Sequence, residues 1–210
     1  MTTSLRLELK AAFQLARGKS DMTPPPPARL CGFFARSAPI CVIFRRGPSR
    51  HTQQILWRTD TDEFIPGQWI KKGVVHRAKI SSDGKFMSIA LMGVKSRIHT
   101  QADTQVSILC RPPYFSAIET NIGGLCYTPM PLLPEEKFDD TWTFQEGHVI
   151  DAMTGPAEAV DQNGRRVRFE KGCVLVWRDS KWQVIFDTNP LVFGPIAPPD
   201  WAIEPLNPNS

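Results

Sequence analysis

Nineteen of the 210 residues are proline, and where they fall limits what the chain can build. They gather in Pro24-Pro25-Pro26-Pro27, in Pro112-Pro113, between Pro129 and Pro134, and from Pro190 to the end. Proline lacks a backbone donor and fixes φ, so these stretches cannot be helix interiors or central strands. A helix bundle is thereby disfavoured. Between them lie short apolar runs of strand length, at 40–44, 54–57, 64–65, 74–75, 86–91, 106–109, 142–144, 173–177 and 182–186. The last two form the clearest hairpin, joined by Arg178-Asp179-Ser180-Lys181. Being apolar almost throughout, they read as strands buried on both faces. Pro66-Gly67 suits the central positions of a type II turn.

Gly84, Gly124 and Gly164 are spaced forty residues apart. The first follows Ser81-Ser82-Asp83 and the last follows Asp161-Gln162-Asn163, and each leads into an extended segment. Asp-Gly and Asn-Gly mark tight turns because glycine adopts positive φ without a Cβ clash. A period of ~40 residues is the length of one β-propeller blade. A second echo pairs Ile55-Leu56-Trp57-Arg58 with Leu175-Val176-Trp177-Arg178, three such periods apart. The turn Ser81-Ser82-Asp83-Gly84 resembles the Ser-Pro-Asp-Gly turn of propellers of the TolB and WD40-like kind, with Ser82 in the proline's place. The wider set Ile55-Leu56-Trp57, Phe64-Ile65-Pro66-Gly67-Gln68-Trp69, Ser82-Asp83-Gly84 and Arg111-Pro112-Pro113-Tyr114 resembles a group of uncharacterised bacterial proteins. These likenesses imply a blade-like architecture and carry no activity. The expected fold is mainly β, propeller-like with four or five blades or a β-sandwich, with a short N-terminal helix.

Three regions follow. Residues 1–27 read as an amphipathic helix and proline linker: Leu5, Leu9, Ala12, Phe13 and Ala16 share one face, with Arg6, Lys10 and Arg17 off it. A surface helix is the first reading of this basic segment, and a cleavable organellar targeting segment is the alternative. Residues 28–189 form the β-rich domain. Residues 190–210 are a proline-rich tail whose Trp201, Ile203 and Leu206 call for a surface to lie on. The five cysteines, Cys31, Cys41, Cys110, Cys126 and Cys173, are widely spaced with no CxxC pair, which points to reduced, buried thiols. No apolar run approaches a membrane span and no secretory leader is visible, so the expected location is cytoplasmic.

Nothing in the sequence announces chemistry. The four histidines, His51, His76, His99 and His148, lack partners at metal-ligand spacing, and no Gly-x-Ser-x-Gly elbow, phosphate loop or calcium loop occurs. No metal or cofactor is expected, and any active site would have to be assembled in three dimensions. Charge is the stronger lead. Residues 1–79 carry fourteen basic and five acidic side chains, whereas residues 80–210 carry eleven and sixteen. Arg45, Arg46, Arg50 and His51 share what reads as an exposed turn. Lys71, Lys72 and Arg77 follow, with Trp57 and Trp69 between. Arginine and tryptophan are enriched where protein interfaces hold their binding energy, so the first reading is a protein-interaction module, binding another protein or itself. Basic residues beside aromatics also match a nucleic-acid surface; an accessory protein using residues 45–79 is the alternative, and an enzyme the third.

Overall fold

In a computed structural model, residues 25–47, 51–71, 73–92, 105–123, 130–133 and 149–206 are described. They form β1 (Arg29–Phe34), β2 (Ile40–Arg46), β3 (His51–Arg58), β4 (Glu63–Lys71), β5 (Val74–Ile80), β6 (Met87–Met92), β7 (Gln105–Cys110), β8 (Ala117–Gly123), β9 (Val149–Asp151), β10 (Ala157–Val160), β11 (Arg166–Glu170), β12 (Cys173–Arg178), β13 (Lys181–Asp187) and α1 (Asp200–Ile203). The protein is mainly β. The expected helix around residues 5–17, the strand at 142–144 and Gly124 lie outside the described residues.

Among the described residues all pairing is antiparallel and falls into three sheets. Sheet A runs β4-β3-β2-β1-β9, sheet B runs β5-β6-β7-β8, and sheet C runs β10-β11-β12-β13. Strand alternation explains how they stack. Successive side chains of a strand point to opposite faces. In β2, Cys41 and Ile43 enter one core while Val42 and Phe44 enter the other, all at most 1% exposed. The first core joins Leu30, Phe34, Ile55 and Trp57 of sheet A to Val167, Phe169, Val174 and Val176 of sheet C. The second joins Phe33, Val42 and Phe44 to Met87, Ile89, Leu91, Ile108 and Cys110 of sheet B. Sheet A is the middle layer. Each large apolar side chain buried this way contributes ~1.5–3 kcal/mol relative to exposure.

The two glycine turns form as read. Gly84 and Gly164 both have φ of 75°. In each turn the glycine N–H donates to the carbonyl three residues back, on Ser81 and Asp161 respectively. Asp83 Oδ1 accepts from Lys85 N, and Asp161 Oδ1 accepts from Asn163 N and Arg165 N. Each turn joins the first and second strands of its sheet.

Two local expectations are overturned. Pro66-Gly67 is not a turn but lies inside β4, where the register with β3 shifts between Gln53 and Ile55. An edge strand tolerates a proline because no ladder donor is lost on its open side, and β4 is the edge of sheet A. Gly67 is required for a different reason: a Cβ there would lie 1.9 Å from the backbone oxygen of Pro113. The second correction concerns 173–186. The hairpin forms but is buried on one face only, because sheet C is an outer layer and β13 its edge; Trp177 is 37% and Val184 58% exposed.

The tail lies against the edge strand β4 of sheet A and the segment that follows β7. Gln68 Nε2 donates to Ile196 O at 3.0 Å, and Gln68 Oε1 accepts from Phe115 N and Ser116 Oγ. Arg111 Nη1 donates to the carbonyls of Trp201 and Glu204, and Trp201 packs edge-on to Tyr114 at 5.5 Å. No helix among the described residues is long and apolar enough to cross a membrane.

Gly67→Ala is expected to cost ~2–3 kcal/mol, because a backbone atom blocks the new methyl, which corresponds to a Tm loss of roughly 4–12 °C at this size. Gly155→Ala, with nothing within 4 Å of its Cβ position, should stay within about 0.5 kcal/mol. Thermal melts of the two variants measure the contrast.

Candidate functional site

Sheet C packs Val167, Phe169, Val174 and Val176 inward, so the intervening residues face away from sheet A. Register arranges them in two rows across the strands. Val160 pairs with Arg166, which stands beside Trp177, itself paired with Trp182. One row over, Glu158 pairs with Arg168, Arg168 with Leu175, and Leu175 with Val184. The indoles of Trp177 and Trp182 meet edge to face at 5.3 Å. The Arg166 guanidinium lies 5.2 and 5.4 Å from those two ring centres, and Arg168 lies 4.4 Å from Trp182. Each such cation–π contact adds ~0.5–1 kcal/mol at an exposed site.

Glu158 fixes both arginines. Its carboxylate accepts from Arg168 Nε at 2.9 Å and from Arg166 Nη2 at 3.1 Å. Hydrogen bonds from Arg168 and then Arg166 hold its pKa below the usual value. The result is an ordered face of alternating indole and guanidinium planes. Val160, 60% exposed, and Val184, 58% exposed, are uncovered beside it.

Sheets A and C are tied together at the β3–β4 turn by a charge network. Asp62, in the β3–β4 turn at φ 56°, accepts from Trp57 Nε1 at 3.3 Å, from Arg165 Nη1 at 3.1 Å and from Arg178 Nη2. Arg165 also donates to Asp161 Oδ2 at 2.7 Å and to the Thr59 carbonyl. Burial pushes the Asp62 pKa up, but the hydrogen bonds from Arg165 and Arg178 outweigh it and leave the value lowered. Asp179 and Ser180, both at positive φ, make the two-residue turn into β13.

The nine residues singled out from sequence divide. Arg45, Arg46, His51, Trp69 and Lys71 meet at one end of sheet A, where β1 adds Arg29, opposite Arg46. His51 pairs with Lys71 across β3 and β4, and its ring stacks 4.3 Å from that of tail residue Phe193, which also meets Trp69. Trp57 is elsewhere. It is fully buried at the far end of β3, stacked on Phe64 at 5.4 Å, so it presents nothing to a ligand. Arg77 lies on β5 of sheet B, opposite Ala90. Arg50 and Lys72 fall outside the described residues.

Arg45 corrects the reading of 45–51 as an exposed turn. β2 extends to Arg46, so Arg45 continues the strand's alternation and is only 5% exposed. Its Nε donates to Thr188 O at 2.9 Å and its Nη2 to Leu191 O at 3.1 Å, with the guanidinium 4.9 Å over Trp69. It pins the start of the tail. The Trp–Arg face of sheet C was missed from sequence, although Arg166, Arg168, Trp177 and Trp182 share the period-two alternation that would have placed them on one side.

No group of three or more His, Cys, Asp or Glu among the described residues has the geometry to hold a metal. Cys31, Cys41, Cys110 and Cys173 are free. Burial pushes the Cys31 and Cys110 thiols up to about 12, so neither supplies a thiolate nucleophile near neutrality. Comparison with protein-family models, with curated proteins and with solved structures gives no match.

Arg45→Gln should lose its carbonyl contacts and cost ~2–4 kcal/mol, whereas Arg46→Gln should stay within about 0.5 kcal/mol; chemical denaturation separates them. Asp62 makes a pH prediction. Its folded pKa is depressed, so its contribution is complete above the ordinary value of 3.8 and is lost as pH falls through the lowered value. The stability gap between wild type and Asp62→Asn should therefore be ~1–3 kcal/mol at neutral pH and close in strong acid.

Proposed function

We propose that the protein is a protein-interaction module whose binding surface is the outer face of sheet C. The observation that carries this reading is exposed Trp177 paired with half-buried Trp182 beside Arg166 and Arg168. Tryptophan and arginine dominate the energetics of protein interfaces, and here Glu158 pre-orders the arginines, which lowers the entropy lost on binding. The occupant that fits is an amphipathic segment of another protein, laying apolar side chains on Leu175, Trp177, Trp182 and Val184.

The architecture favours the same face. Sheets B and C are four-stranded meanders with matching glycine turns between first and second strands, as propeller-like blades would be. Trp57 and Trp177 occupy the third strands of sheets A and C and point the same way through the stack. For Trp57 the next layer is sheet C. For Trp177 the next layer is what we assign to a partner. A sandwich-like stack of the three sheets leaves the same face open. Free thiols, buried at Cys41 and Cys110 and half-buried at Cys31 and Cys173, suit a reducing compartment, and we place the protein in the cytoplasm.

A second reading rests on the basic end of sheet A, where Arg29 pairs with Arg46 on one face of the sheet and His51 with Lys71 on the other, a basic rim that favours an anionic partner such as nucleic acid.

The test is co-purification of tagged full-length protein from native extract, with and without nuclease. The interaction reading expects a stoichiometric protein partner that resists nuclease and is lost in Trp177→Ser/Val184→Glu. Retention that vanishes with nuclease, or with Arg46→Glu/Lys71→Glu while the sheet C variant still binds, would favour the second reading.

A further inference from the structure

We infer that the open edge of β13 pairs with β13 of a second copy of the chain, joining two copies of sheet C into one antiparallel sheet. This concerns the edge of the sheet, and it extends the outer face read above as a docking surface.

Comparison of the sheet edges singles out β13. An edge strand presents unpaired N–H and C=O groups that another strand can meet. The other edges are occupied, short or guarded by charge. In β4, Gln68 N donates to Pro113 O at 3.0 Å and Gln68 Nε2 to Ile196 O. α1 packs against β8, and β10 runs beside β9, which itself has three residues. β5 carries Arg77 and Lys79 and shifts register between Val75 and Arg77. β13 is seven residues long, with β12 hydrogen-bonded on one side and, among the described residues, no strand on the other.

Two features fix how a strand can add there. The Asp179-Ser180 turn holds two residues, so Arg178 and Lys181 form the hydrogen-bonded pair that closes it. Bonding alternates from that pair: Gln183 bonds to Val176, while Trp182 and Val184 turn their N–H and C=O groups away from β12, toward the open edge. The bulge opposite Val174 and Leu175 then leaves Ile185 unpaired, and Ile185 and Phe186 both pack into the core shared with sheet A. Regular alternation is thereby confined to residues 181–184.

A two-fold axis at Gln183 keeps the faces of two such strands in step. Trp182 then lies opposite Val184 of the second copy, and Val184 opposite its Trp182, each pair exchanging both N–H···O bonds. An axis at Val184 would instead set Trp182, on the outer face, against Phe186, on the inner one. An aromatic residue opposite a β-branched one is a favourable cross-strand pair, and here it covers Val184, which is 58% exposed in the single chain. Antiparallel order also brings Lys181, exposed and without an ion pair among the described residues, toward the exposed Asp187 of the second copy. The row of Arg166, Trp177 and Trp182 runs on into Val184, Leu175 and Arg168 of the second copy. With β10 at both ends of the joined sheet, beside β9, pairing closes at two copies.

Analytical ultracentrifugation of the full-length protein over a concentration series tests this. Wild type should form a dimer at micromolar concentration. Val184→Pro removes an N–H that β12 does not use, so the melt should stay cooperative while association weakens by about tenfold or more. Trp177→Ser, which leaves the edge intact, should still dimerise. A wild type that sediments as a monomer throughout overturns the inference. So does a dimer that Val184→Pro leaves unchanged, or one that Trp177→Ser abolishes, because another surface would then hold it. If Val184→Pro melts without cooperativity, Gln183→Cys decides instead. Its Cα would lie ~4.5 Å from its counterpart across the axis, within disulfide range, so mild oxidation should give a covalent dimer that wild type does not form; its absence overturns the inference. Capture of a different protein by wild type and by Trp177→Ser reads the outer face separately, so either reading can fail without the other.

Discussion

Double burial of the middle sheet is the constraint on which the rest of the structure depends. β2 has no solvent side between Cys41 and Phe44; its odd residues fill the core shared with sheet C and its even ones the core shared with sheet B. Removing a large side chain from either set would leave a cavity against a rigid neighbour, with no path for solvent to relieve it. Sheet C lacks that property. Sheet C contributes Val167, Phe169, Val174 and Val176 inward and keeps its alternate residues outside. The open face of sheet C is thus a consequence of its outer place in the stack, whereas residues 131–133 lie against the far side of sheet B.

Polar contacts at the two ends of the sheets tie these layers together. At one end, Asp62 collects Trp57, Arg165 and Arg178, so a single carboxylate joins the β3–β4 turn to sheet C. Gln162 Nε2 donates to the carbonyls of Ala35 and Ile40, and Asn163 Nδ2 to that of Thr59, bringing the same turn of sheet C against the β1–β2 connection. At the other end Arg45 holds Thr188 and Leu191, fixing where the chain leaves β13. Arginine suits both positions because its planar head donates in several directions to carbonyl and carboxylate oxygens at once.

Much of the strand pattern was legible because it is written in local chemistry. The runs at 40–44, 54–57, 86–91, 106–109, 173–177 and 182–186 are too short and too apolar for surface helices, and each is a strand. Asp83-Gly84 and Asn163-Gly164 were legible because positive φ leaves few alternatives to glycine. What was not legible depended on distant neighbours. Arg45 looks like a surface charge until the tail residues 188–191 arrive to accept its donors. Trp57 looks like a binding residue until Phe64 and Phe34 close over it. Pro66-Gly67 reads as a turn because the sequence does not reveal that Pro113 will press its carbonyl against Gly67. The same runs gave no sign of which sheet would be central, since 40–44 and 173–177 are equally apolar and only the first is buried on both faces.

Native-state hydrogen exchange resolved to individual strands tests the layer order most directly. Opening free energies follow how many cooperative contacts a strand must break. With sheet A in the middle, the amides of β2 and the paired side of β3 should exchange only through global unfolding, at the free energy measured by denaturant. Those of β10 and β13, at the edges of sheet C, should exchange through a smaller opening that leaves β2 protected. Exchange of β2 ahead of β12 and β13, or uniform exchange of all three sheets well below the global free energy, would contradict a fold organised around a doubly buried middle sheet.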